Sequence, residues 1–153
     1  KDDFHLENIK KLDEKTIKEN MKEALLFHKQ GKTEQPIKIY ESLLKTNPSP
    51  EIYFRYANSL SNIQNRWKES ITAYYTAWDM GFKNQRILFY NLACIYSKMS
   101  LFNKCNSFLR SFYAGNQSKN KMNLIKSDKD LELFRKSSFW NEFFQWSLEE
   151  DKR

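Results

Sequence analysis

Apolar positions recur along this chain every three or four residues, in blocks of roughly twelve to seventeen parted by short polar turns. That period is helical. Ile17, Met21, Ala24, Leu25 and Leu26 share one broad face of a first helix, which Gly31 stops because glycine accepts the left-handed backbone that closes a helix. A second block over 33–46 carries Ile37, Tyr40, Leu43 and Leu44 and ends at Asn47-Pro48. Ser49 then reads as an N-cap, with Pro50 in the first turn, where a missing amide costs nothing. The third helix, over 50–63, shows Ile52, Phe54, Ala57 and Leu60; the fourth, over 67–80, shows Trp67, Ile71, Tyr74, Ala77 and Trp78 before Gly81. The fifth, over 85–98, carries Leu88, Phe89, Leu92, Ala93, Ile95 and Tyr96, and the sixth, over 102–114, carries Phe102, Cys105, Phe108, Leu109 and Phe112 before Gly115. Six such helices leave no room for a sheet, and no apolar run approaches the ~18 residues that cross a membrane.

The blocks repeat. Compact residues stand at Ala24, Asn58 and Ala93, at intervals of 34 and 35 positions, and Pro36, Ser70 and Cys105 follow at the same intervals. Tyr40, Tyr74 and Leu109 come four residues later, and Pro48 closes the first unit. The third unit reads Phe89-x2-Leu92-Ala93-x2-Tyr96, then Cys105-x3-Leu109. Small side chains twelve residues apart suit two helices that cross closely, with aromatics filling the space where they diverge. This pattern resembles the tetratricopeptide repeat, with repeats at 17–50, 51–84 and 86–119. The resemblance implies an all-α, right-handed superhelix of antiparallel helix pairs, with helices flanking it at both ends. Repeat one departs from it at Asn20 and Glu23. Repeat two departs at Asn58, Ser61 and Phe82, and an insertion near Asn84-Gln85 stretches the second interval.

Length favours one domain over 1–153, with 1–16 as an N-terminal flank and 120–153 as a cap. Phe4, Leu6, Ile9 and Leu12 suit a short helix shielding the first repeat. At the other end, Asp128-x-Asp130-Leu131-x-Leu133-Phe134-Arg135 and the aromatics Phe139, Trp140, Phe143, Phe144 and Trp146 look like the ending of many bacterial tetratricopeptide proteins. The implied role is to cover the apolar face that the last helix of a solenoid leaves open. Ser127 or Asp128 is placed to cap a helix through Arg135, and Ser137 or Ser138 another through Glu149.

Charge and chemistry narrow the function. The chain carries 26 Lys and Arg against 19 Asp and Glu, a net of +7, and residues 51–126 alone hold eleven basic and three acidic side chains. A basic middle favours an acidic partner, whether peptide, nucleic acid or lipid headgroup. Cys94 and Cys105 are too few and too far apart for a zinc ladder or a disulfide framework, and read as buried thiols. His5 and His28 fall on different helices, and no phosphate-binding loop or hydrolase motif occurs. Asp128, Asp130 and Glu132 lack the glycine and closing glutamate of a calcium loop. No catalytic residue, cofactor or metal is expected. The first residue is Lys1 rather than Met, as expected either of an excised piece of a longer chain or of a processed product; the compartment stays open, the cytoplasm ahead of the periplasm or export.

In tetratricopeptide arrays the first helix of each pair lines a concave groove. Transferred by phase, the resemblance places Lys18, Met21, Leu25, His28 and Lys29 there from repeat one, and Ile52, Arg55, Tyr56, Ser59, Asn62 and Ile63 from repeat two. Repeat three adds Ile87, Tyr90, Asn91, Cys94, Ser97 and Lys98. Arg55 and Lys98 would pair with charge, Asn62 and Asn91 with a peptide backbone, and Tyr90 and Met21 with apolar groups. The carboxylate clamp of the chaperone co-factors is missing, since its positions hold Met21, Leu25, Tyr56, Ile87 and Asn91. A non-catalytic module docking a peptide or helical segment is therefore expected. Two alternatives stand beside it: a nucleic-acid-binding solenoid using the basic 51–126 section, and a scaffold that dimerises through its C-terminal aromatics.

Overall fold

A computed structural model describes residues 11–115 and 119–153. The described residues are helical with no strand, so the chain is all-α. Length led to the expectation of a single domain; the fold divides into two compact units, Lys1–Lys83 and Asn84–Arg153. The division falls at an exposed turn. Gly81 (φ +91°) ends one helix, Phe82 is buried, and the Asn84 carboxamide caps the next by accepting from Ile87 N–H at 3.3 Å.

The first unit contains α1 (Glu14–Lys29), α2 (Glu34–Thr46), α3 (Pro50–Leu60) and α4 (Trp67–Asp79). The starts of α1 and α3 are set by side chains that satisfy otherwise orphaned amides. Asp13 accepts from Thr16 N–H at 2.8 Å, and Ser49 Oγ from Ile52 N–H at 3.2 Å, with Pro50 in the first turn. α1 and α2 pair, α3 and α4 pair, and α2 packs on α3. The first pair closes over Ala24, Tyr40, Leu43 and Ile52, against which Leu12, Ile17, Met21 and Tyr56 lean. In the second, Ser70 Oγ donates to the Ala57 carbonyl at 2.7 Å and the Tyr74 hydroxyl donates to Asn58 Oδ1. Asn58, the odd member of the small-residue series, thus gives a buried tyrosine its hydrogen-bond partner. Phe82, which stands where a closing proline was expected, stacks on Phe54 at 4.2 Å.

α3 stops three residues short of the expected end. Ser61 Oγ and Asn62 Nδ2 both donate to the Asn58 carbonyl, at 2.7 and 3.4 Å, drawing it into local bonds that compete with the helix. A 3-10 turn, Gln64–Arg66, follows. The expected shielding helix over 4–12 lies outside the described residues except at its end, where Leu12 is not helical. Its N–H donates to Asn47 Oδ1 at 3.2 Å and its carbonyl accepts from Asn47 Nδ2 at 3.5 Å.

The second unit pairs α5 (Gln85–Lys98) with α6 (Phe102–Tyr113), burying Leu88, Leu92, Ala93, Ile95, Cys105 and Leu109. Then come α7 (Lys119–Ser127), a 3-10 turn (Lys129–Leu131), the single turn α8 (Glu132–Arg135) and α9 (Phe139–Asp151). One helix through Arg135 was expected. Instead Asp128 Oδ1 accepts from Asp130 N–H only two residues on, at 2.9 Å. Arg135 folds back to donate to the carbonyls of Ile125 (2.8 Å) and Asp128 (2.6 Å), which holds the bend. Phe134 and Phe143, both fully buried, meet Phe102, Trp140, Tyr113 and Trp146 in one aromatic cluster. Most of the C-terminal aromatic surface is thus used inside its own unit.

Candidate functional site

The first helices of the pairs present two different faces. On α5 the expected groove residues Tyr90, Cys94 and Ser97 are buried. Tyr90 is 8% exposed and its hydroxyl donates to Asp128 Oδ2; Cys94 is buried beside it. Ser97 Oγ, fully buried, accepts from Phe134 N–H at 3.2 Å, and Lys98 Nζ lies 4.0 Å from Asp130 Oδ1. The segment Asp128–Phe134 therefore lies across the α5 face, with Leu131 and Phe134 fully buried. Of the other residues expected in a groove here, Ile87 is exposed and Asn91 half-exposed. The cap covers the wall that the sequence assigned to a ligand.

Burial foremost, then the neighbouring Cys94 and the Asp128 bond, pushes the Tyr90 phenol up, so it remains protonated and is the donor. Burial likewise pushes the Cys94 and Cys105 thiols up, which keeps them from forming nucleophilic thiolates. Tyr90→Phe removes a hydrogen bond to a carboxylate whose other contacts persist. It is expected to destabilise the protein by about 1–2 kcal/mol, read as a shift in urea midpoint at unchanged slope. No shift would mean that Asp128 does not hold the segment on α5.

In the first unit the face is open among the described residues. Ile17, Met21 and Ile52 floor a pocket of about 360 Å³, with Lys18 and Lys22 along one side and Ser49 and Glu51 along the other. α1 supplies one wall and the start of α3 the other. Ser49 Oγ is engaged capping α3, and Glu51 accepts from Arg55 Nε at 3.0 Å. Among the other expected groove residues, Leu25 and Arg55 are half-exposed, Ser59 is buried, and Asn62, just past the end of α3, is exposed but turned to the Asn58 carbonyl. The structure brings Met21, Ile52 and Lys18 together. The sequence reading missed Ile17, Lys22, Ser49 and Glu51, of which Ile17 was legible as an apolar residue one turn before Met21.

The basic middle is largely engaged within the protein. Arg66 pairs with Glu69 at 2.8 Å and lies 3.7 Å from Glu41, and Arg110 meets Glu142 at 3.4 Å and the Trp146 ring at 5.0 Å. Arg86 and Lys121 donate to carbonyls at the end of α6, and burial, then Arg86, pulls the Lys121 ammonium below its ordinary value. Lys104 and Lys126 lie over the rings of Tyr96 and Phe144. Among the described residues no three His, Cys, Asp or Glu side chains gather as a metal site, and no helix is long and apolar enough to cross a membrane. No family model matches this chain, and no curated protein or solved structure matches it either.

Proposed function

We propose that this chain is a tetratricopeptide-type repeat protein, a right-handed superhelix of three helix pairs with a C-terminal cap, acting as a non-catalytic module that docks a segment of a partner protein. The observation that carries this reading is the contrast between the two faces. The α5 face is filled by the chain's own Asp128–Phe134, whereas the α1–α3 face, among the described residues, is an open apolar pocket with a cationic side. Docking therefore centres on Met21, Ile17 and Ile52 rather than on Tyr90 and Cys94. The intramolecular contacts of Arg66, Arg86, Arg110, Lys104, Lys121 and Lys126 weigh against a nucleic-acid track, which needs cations free to neutralise phosphates.

Selection from a random peptide display library against the immobilised protein tests this reading. Sequences should be enriched that bind wild type and lose binding to Met21→Glu, while the exposed Lys68→Ala variant binds as wild type. Failure to enrich any peptide, with single-stranded RNA bound at a steep salt dependence instead, would replace this reading by the nucleic-acid one.

A further inference from the structure

Building on the docking reading, we infer that the α1–α3 pocket takes an acidic segment carrying a bulky apolar anchor, such as a leucine or phenylalanine flanked by Asp and Glu. The pocket itself states half of that requirement. Its floor is Ile17, Met21 and Ile52, and its 360 Å³ lies at the small end of ligand-sized cavities, right for one or two large side chains and not for a whole helix face.

Its charge states the other half. Lys18 and Lys22 stand one helical turn apart beside the apolar floor, and neither joins an ion pair among the described residues. Glu51, on the opposite side, is held by Arg55 and does not neutralise them. Asp13, Glu14 and Glu19 share a neighbouring charged depression with Lys15 and the two lysines, but none of these three acids lines the apolar pocket. Two cations at i and i+4, with no ion-pair partner among the described residues, fit two carboxylates about one helical turn apart on the ligand.

The second unit shows how this kind of helix face is satisfied. Across α5 the chain lays Asp128 and Asp130 onto Tyr90 and Lys98, and buries Leu131 and Phe134. Acid on the polar side and apolar anchor in the centre is the same chemistry that no described residue supplies to the α1–α3 pocket.

The test is fluorescence anisotropy of the whole protein with three labelled decapeptides, terminally blocked. One has four Asp or Glu around a Leu-x-x-Phe core, one has those acids replaced by Asn and Gln, and one keeps the acids with Ala for Leu and Phe. The acidic, anchored peptide should bind; the amide version should bind about tenfold more weakly and the anchorless one more weakly still. Lys18→Glu with Lys22→Glu, both exposed and not expected to disturb folding, should weaken the first peptide at least as much and abolish its salt dependence. Equal binding of acidic and amide peptides, unmoved by the charge reversal, overturns the acid preference while leaving the docking reading intact. If no peptide of any kind binds, including those from display selection, both fall. Binding that needs residues 1–10 removed would make the chain's own N-terminus the occupant. A dimer that the charge reversal dissociates would make it a second copy. Either result overturns the inference.

Discussion

Phe134→Ala is expected to remove about 3–5 kcal/mol of stability, a large part of the ~5–15 kcal/mol that holds a domain together. The ring is fully buried and lies 5.9 to 6.4 Å from the rings of Phe143, Trp140 and Phe102, so truncation leaves a cavity among residues fixed by one another. The backbone amide of Phe134 also donates to Ser97, which ties this cavity to the α5 face. Urea denaturation measures the loss, and hydrogen exchange at Tyr90–Ser97 should rise with it. A cost below about 1 kcal/mol would mark Asp128–Phe134 as a detachable strap whose release frees α5 for a ligand. The burial of Leu131, Phe134 and Phe143 together argues for a permanent cap.

Ala93→Trp is expected to unfold the second unit or weaken it severely. Ala93 is fully buried on α5, and Cys105, its counterpart in the repeat pattern, is fully buried on the paired α6. An added methylene or two in such a site typically costs ~1–3 kcal/mol, and an indole adds far more volume than that. The exposed Lys68→Ala provides the control, within about ±0.5 kcal/mol of wild type. Equal melting temperatures for the two variants would show that the small-residue series does not mark close helix crossings.

Helix pairs were legible because their causes are local. The 3.6-residue period, Ser49-Pro50 and the glycines at 31, 81 and 115 act within a few residues of themselves, and α5 begins and ends where its apolar pattern does. α3 and the Asp128–Arg135 stretch departed from expectation for another reason. There, side chains of Ser61, Asn62, Asp128 and Arg135 capture backbone groups that a period count assigns to a continuing helix. The covered α5 face depended on partners 37 and 38 residues away, Ser97 with Phe134 and Tyr90 with Asp128, which no spacing rule connects. One sign of it was present. Ile87–Tyr96 has Asn91 as its one strongly polar residue, and a helix apolar nearly all round is buried nearly all round. Phase transfer from the repeat pattern assigned Tyr90 and Cys94 to an open wall, and a count of apolar faces would have enclosed them.

The contrast between a filled α5 face and an open α1–α3 face is most directly tested by amide NMR of the labelled protein, titrated with a peptide chosen by display selection. The account predicts shift changes concentrated at Ile17–Lys22 and Ser49–Ile52, with Tyr90, Cys94, Ser97 and Lys98 unmoved. Changes concentrated at those α5 residues and at Asp128–Phe134, with α1 silent, would contradict it.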